Sequence, residues 1–329
     1  MKRKNDLDTA RGICILFVVL GHCFPENIFS LENPGIAKYV YDFVYIFHIP
    51  CLLTISGMLF YKYVGMFSRK QLERKLKRLF VPYLTFSILY IPLRLVLSSY
   101  ANSEWEIRDV WQILIGNSPN GGVWYLYALF LYSFIAMAAM REKYIESWIC
   151  ISILLYFVGR NFLTEFGDWS NYISNFMWFV MGVYLSQMKE RFSYDFFTIK
   201  NQIDLVVRVI VFAASFVLIE KYSLSIRVFA GLFGISIIMC ISRRLEGNKL
   251  LTLMGINSME IYLLHGPILI VLRILLLKMN VPLLFVPPVL FVCGVAGSYM
   301  IGVLILGRFQ LLRLICFGKN NDRINIYVK

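Results

Sequence analysis

The feature that most constrains this chain is a close succession of apolar stretches, each about as long as a bilayer is thick. A helix crossing the hydrocarbon needs roughly 20 predominantly apolar residues. Ten stretches of the 329-residue sequence qualify, at 9–28, 37–60, 79–100, 123–140, 144–162, 173–188, 203–220, 223–242, 250–277 and 283–307. The expected fold is therefore all-α, a polytopic integral membrane helical bundle of about ten transmembrane helices. One membrane-embedded domain is expected over 1–329. The segment 101–122 is the exception: with Trp105, Glu106, Trp111 and an SPNGG turn, it reads as an interfacial loop with some amphipathic helix. Composition agrees, since 59% hydrophobic residues and a mean hydropathy of +0.66 lie far from a soluble domain.

The charges orient the bundle. With the N-terminus inside, the cytoplasmic loops are KYVGMFSRKQLERKLKR, REK, KERFSYDFFTIK, RRLEGNK and the tail after Leu306. Together with the N-terminus these hold most of the 33 basic residues, while the opposite loops hold a handful, including Lys38, Arg108, Arg160 and Lys278. That is the positive-inside bias, and it predicts that both termini are cytoplasmic. The net charge of +13 is then mainly a topology signal. Nucleic acid is not an expected partner, because the basic residues lie in short loops between spans. MKRKNDLDTAR and the apolar run after it lack a small-residue cleavage site, so a retained first span is expected and not a signal peptide. The seven cysteines are scattered without a C-x-x-C pair; they read as packed small hydrophobes, with no metal site expected.

Ionisable residues inside a span are costly and are functional candidates by default. In ARGICILFVVLGHCF, Arg11 and His22 are eleven residues apart, which puts them on one helix face about 17 Å apart along the axis. All three histidines fall in predicted spans. His48 lies in YIFHIPCLLTISGMLF, where Pro50 removes a backbone donor and His48, Leu52 and Ser56 share a face. His265 lies in GINSMEIYLLHGP, where Ser258, Tyr262 and His265 share a face in the same way. Convergence of these faces would build a polar pocket in an apolar bundle; helix-to-helix hydrogen bonding is the other reading of His48, Ser56, Tyr262 and His265.

These motifs resemble those of the acyltransferase 3 family of polytopic membrane proteins, in particular its fucose 4-O-acetylase-like branch. The hallmark is the arginine, ten residues, then histidine of the first span, here Arg11 to His22 with Asp8 and Gly12 beside them. FHIPCLLTISGMLF, KLKRLFVPY, VWYLYALF, FMWFVMGVYL and NSMEIYLLHGP resemble further family motifs in the family's order, so the similarity covers essentially the whole chain. No extracytoplasmic SGNH-type domain of the kind some members carry is expected.

The resemblance implies transfer of an acyl group, usually acetyl, from cytoplasmic acyl-CoA to a hydroxyl of a surface glycan or lipid-linked sugar, in the cytoplasmic (inner) membrane of a bacterium. Acetyl-CoA is then the donor substrate, with no metal. RKQLERKLKR places cations where the phosphates of coenzyme A would arrive; Arg74, Lys75, Lys77 and Arg78 are the candidate donor ligands, against the alternative that they only obey the positive-inside rule. His22 is the candidate general base, since an imidazole near neutrality can take the proton of an attacking hydroxyl; an acyl-histidine is the variant. Arg11 is either a donor-phosphate ligand or an organiser tied to Asp8, three residues earlier. His48 and His265 join the catalytic set, orienting substrate or stabilising the oxyanion. Ser56, Trp124 and Tyr262 are candidate substrate contacts, with interface anchoring the alternative for Trp124. A transporter using buried His, Arg and Asp is the competing function.

Overall fold

The computed structural model describes residues 5–24, 34–96, 107–193, 195–198 and 202–319. Trp105, Glu106 and both termini, whose side of the membrane the charges predict, lie outside these. No strand occurs among the described residues. In hydrocarbon every backbone N–H and C=O must be satisfied within the protein, and a helix does so without a partner segment. The helices are α1 (Asn5–His22), α2 (Pro34–Phe60), α3 (Arg69–Lys75), α4 (Val81–Val96), α5 (Trp124–Ala138), α6 (Ile145–Phe162), α7 (Asp168–Phe192), α8 (Gln202–Arg244), α9 (Lys249–Ile256), α10 (Ser258–Lys278), α11 (Val286–Tyr299) and α12 (Gln310–Phe317).

Six described segments are long and apolar enough to cross a membrane: Lys38–Tyr63, Gly121–Ala138, Glu142–Phe162, Ser225–Arg244, Ser258–Lys278 and Leu283–Arg308. The chain is an all-α membrane bundle. The other predicted spans fall on more polar helices or run in part beyond the described residues. Within its 18 residues α1 carries Asp6, Asp8 and Arg11, and the stretch 79–100 continues past Val96, where the described part of α4 ends. The stretch 203–220 carries Asp204 and Arg208.

The fold divides into two compact units, Met1–Leu59 with Met181–Gly302 and Phe60–Val180 with Val303–Lys329. In the first, α1 and α9 run antiparallel with their backbones in contact. A Cβ on Gly12 would strike the Leu251 carbonyl oxygen, and one on Gly255 the Asp8 carbonyl oxygen. Small residues permit such close approach where lipid offers no hydrophobic drive to association. Gly182 does the same for α7 against the Thr54 carbonyl of α2. A straight helix of the 43 residues in α8 would be about 65 Å long. Arg208 nevertheless bonds the Ser236 hydroxyl, and the Phe212 ring lies 3.1 Å from where a Gly234 Cβ would be. The chain therefore doubles back within α8, and its two antiparallel arms coincide with the apolar stretches 203–220 and 223–242.

In the second unit α3 runs into α4 through a π turn, Leu76–Phe80. Pro82, one residue into α4, explains it: the ring removes the bond to the carbonyl of Arg78 and crowds it, and the helix widens to relieve both. The turn re-aims Lys77 and Arg78, both exposed. The amphipathic stretch expected in 101–122 is present as a 3-10 segment, Ile107–Ile115. Three tyrosine hydroxyls hold its end: Tyr83 donates to the Ile113 carbonyl at 2.7 Å, Tyr127 to Leu114 at 3.2 Å and Tyr172 to Gly116 at 2.6 Å.

Candidate active site

Three elements of the first unit build the site. The last residue of α1 is His22, α2 supplies Tyr45 and His48, and α10 supplies Tyr262, His265 and Arg273. The His22 and His265 rings have centroids 5.0 Å apart, tilted by 47°. Tyr45 stands between His22 and His48, with its hydroxyl 3.4 Å from His22 Nε2 and its ring 4.7 Å, edge-on, from that of His48. The Tyr262 ring lies 6.1 Å from that of His265. Arg273 Nη2 donates to the main-chain carbonyl of His22 at 2.7 Å.

His48 and His265 occupy matching positions. Each is two residues before a helix-interior proline, Pro50 or Pro267, and each uses Nδ1 to bond the carbonyl four residues back, Val44 at 2.5 Å and Ile261 at 3.1 Å. A carbonyl only accepts, so both Nδ1 atoms carry hydrogen and both neutral rings keep their lone pair at Nε2. His48 and His265 are enclosed, at 1% and 3% exposure. Of the three imidazoles His22 is the exposed one.

The other sequence candidates lie elsewhere. Asp8 and Arg11 form an ion pair, Nη1 to Oδ1 3.9 Å, with Asp8 buried. They sit about three to four helical turns from His22. Ser56 is two turns beyond His48 and returns its hydroxyl to the Leu52 carbonyl at 2.8 Å. Arg74, Lys75, Lys77, Arg78 and Trp124 belong to the second unit. Lys75 lies over the Phe60 ring at 4.4 Å, whereas Arg74, Lys77 and Arg78 are exposed. Trp124 opens α5, with its ring 6.3 Å from that of Tyr172. No trio of His, Cys, Asp or Glu among the described residues is arranged to hold a metal.

Two members of the cluster, Tyr45 and Arg273, escape sequence reasoning. The signal for Arg273 is present, a lone cation inside the apolar stretch 250–277. Tyr45, three residues before His48 on the same face, is one tyrosine among 20.

Fold and site together define a helical membrane protein with a histidine-centred polar cluster inside one of its units. A family model described as an acyltransferase domain, that of the acyltransferase 3 family, matches residues 4–307. The chain belongs to this family and is a membrane acyltransferase in that general sense. Neither a curated protein nor a solved structure matches it significantly.

Proposed function

We propose that the chain is an O-acyltransferase of the bacterial cytoplasmic membrane, moving an acetyl group from acetyl-CoA to a hydroxyl of a surface glycan or lipid-linked sugar. The observation that carries this reading is the convergence, in a member of an acyltransferase family, of three histidines of which one, His22, is exposed. His22 accepts the proton of the acceptor hydroxyl as its oxygen attacks the thioester carbonyl. The tetrahedral intermediate collapses with cleavage of the C–S bond, and the proton held by His22 passes to the departing thiolate, giving an ester and free coenzyme A. His48 and His265, enclosed and fixed by their main-chain bonds, suit a positioning role, His265 against the His22 ring and His48 against the Tyr45 ring. Exposed Arg74, Lys77 and Arg78 suit the diphosphate and 3′-phosphate of the donor. The Asp8–Arg11 pair favours an organising role for Arg11 at the start of α1.

The test uses membranes containing wild type or His22→Ala, matched for expression and melting point, with radiolabelled acetyl-CoA and the host's glycan fraction. Label entering glycan with wild type alone supports both the reaction and the base. Equal labelling by the two removes His22 from the chemistry. No transfer by either, with no thermal stabilisation by acyl-CoA, returns the transporter reading.

A further inference from the structure

Glycine in a helix interior is disfavoured relative to alanine, so each one there calls for an explanation. In the first unit Gly12, Gly182 and Gly255 have one, since a Cβ would meet the main chain of a neighbouring helix. Gly294 and Gly302 would meet the side chains of Leu269 and Glu260. Gly266, next to His265 in α10, has none. No described atom lies within 4 Å of the place its Cβ would take, and its φ is not in the left-handed region. Nor does Pro267 demand it. A proline ring crowds the residue before it in a helix, yet Ile49 and Ile91 precede Pro50 and Pro92 inside α2 and α4.

The open space lies on the side of the site. At 100° per residue Gly266 shares its helix face with Tyr262, four residues before, and Arg273, seven after. Arg273 is the residue that reaches His22. The far side of α10 belongs to Val271 and Leu275, exposed by 49% and 51%. Among the described residues, bare backbone beside His265 thus faces a gap, on the helix face that carries Tyr262 and Arg273.

We propose that this gap receives the acyl group of the donor thioester, and that Gly266 sets the length of acyl chain the enzyme accepts; the proposal rests on the acyl-transfer reading above. Omitting one Cβ widens the gap by about a methyl group. That is the increment by which acetyl, propionyl and butyryl groups differ, and a pocket resolves one methylene by about 10–200-fold. A sugar ring would scarcely register it.

The experiment compares full-length wild type, Gly266→Ala and Gly266→Leu. Melting points are recorded alone and with acetyl-, propionyl- and butyryl-CoA, and kcat/KM is measured for each donor at fixed acceptor. Alanine and leucine are strong helix formers, so both variants are expected to melt at or above wild type. Gly266→Ala is expected to lower kcat/KM at least about tenfold for the longest acyl group that wild type accepts, with shorter groups less affected. Gly266→Leu should lose stabilisation by, and transfer from, all three, with the acceptor KM of Gly266→Ala within about twofold of wild type. Unchanged acyl preference in both variants overturns the proposal, and so does a raised acceptor KM with acyl preference intact. A melting point well below wild type in Gly266→Ala also overturns it, because the space is then filled by protein. A wild type that neither binds nor transfers any acyl group overturns the functional reading itself, a failure visible without any variant.

Discussion

The guanidinium of Arg273 closes the C-terminal end of α1, donating at 2.7 Å to the main-chain carbonyl of His22, 251 residues away in sequence. The last carbonyls of a helix have no partner within it, and a cation there also opposes the helix dipole. This bond fixes the turn that carries His22. A hydrogen bond to a charged group contributes about 1.5–3 kcal/mol. Arg273→Met is expected to lower the melting point by the equivalent of that energy and to reduce acyl transfer at least about tenfold, since misplacing a reacting group is costly. Arg273→Lys should recover most of the melting point but less of the transfer, because a single ammonium does not reproduce the guanidinium's planar fork. Scanning calorimetry and labelled-acetyl transfer on the same preparations check both.

The histidines should separate by readout. His22 is exposed, and its ring meets Tyr45 at only 3.4 Å. His22→Ala is therefore expected to change the melting point little while reducing transfer about 10²–10⁴-fold, the usual contribution of a general base. His48 and His265 are buried and bonded to Val44 and Ile261, so alanine there leaves a cavity in each case. His48→Ala and His265→Ala should each cost about 2–4 kcal/mol of stability as well as activity. Equal melting-point losses in all three variants would count against the distinction.

Much of this arrangement is legible in the order of residues alone. Apolar length gives the helical membrane class, and the proline two residues after His48 and after His265 marks both as special helical positions. Sequence does not show which helix faces meet. Three histidines in three separate stretches converge only because Gly12 and Gly255 let α1 and α9 touch while α10 brings Arg273 over the end of α1. The reversal inside α8 is likewise a tertiary fact: the Arg208–Ser236 bond discloses it, whereas the helical pattern runs on without a break. Gly266 illustrates the other limit. In sequence it is one of 21 glycines; what sets it apart is a helix-interior place beside His265 with no described atom within 4 Å of where a Cβ would be.

Glycines at helix crossings should respond in the opposite sense to Gly266. A Cβ on Gly255 would run into the Asp8 carbonyl oxygen, which is main chain and has no rotamer to yield. Gly255→Ala is expected to cost at least about 3 kcal/mol, the upper end of the range for overpacking, although alanine is the better helix former. Gly12→Ala meets the Leu251 carbonyl and should behave alike. Melting points of the two variants beside Gly266→Ala make the check, and equal effects at the three positions would refute it.

The membrane-external end of the first unit should give it an acid limit. Asp195 accepts from Lys189 Nζ at 2.6 Å, from Arg243 Nη2 at 2.7 Å and from the Phe197 N–H at 3.0 Å, tying the end of α7 to the end of α8. Burial pushes this carboxyl up, but the Lys189 hydrogen bond, the Arg243 charge and the Phe197 N–H together outweigh it, so its pKa lies below the ordinary 3.8. A carboxylate whose folded pKa is depressed contributes stability that is fully present above the unfolded value. That contribution disappears as pH falls through the folded value. At pH 7, Asp195→Asn is therefore expected to melt below wild type by about 1 kcal/mol, a modest amount because the partners are partly solvated. On acidification below 3.8 the wild-type carboxylate takes up its proton and the two melting curves should converge. A gap between wild type and Asp195→Asn that stays constant from pH 7 into this acid range would show that the carboxylate's charge contributes nothing to the tie.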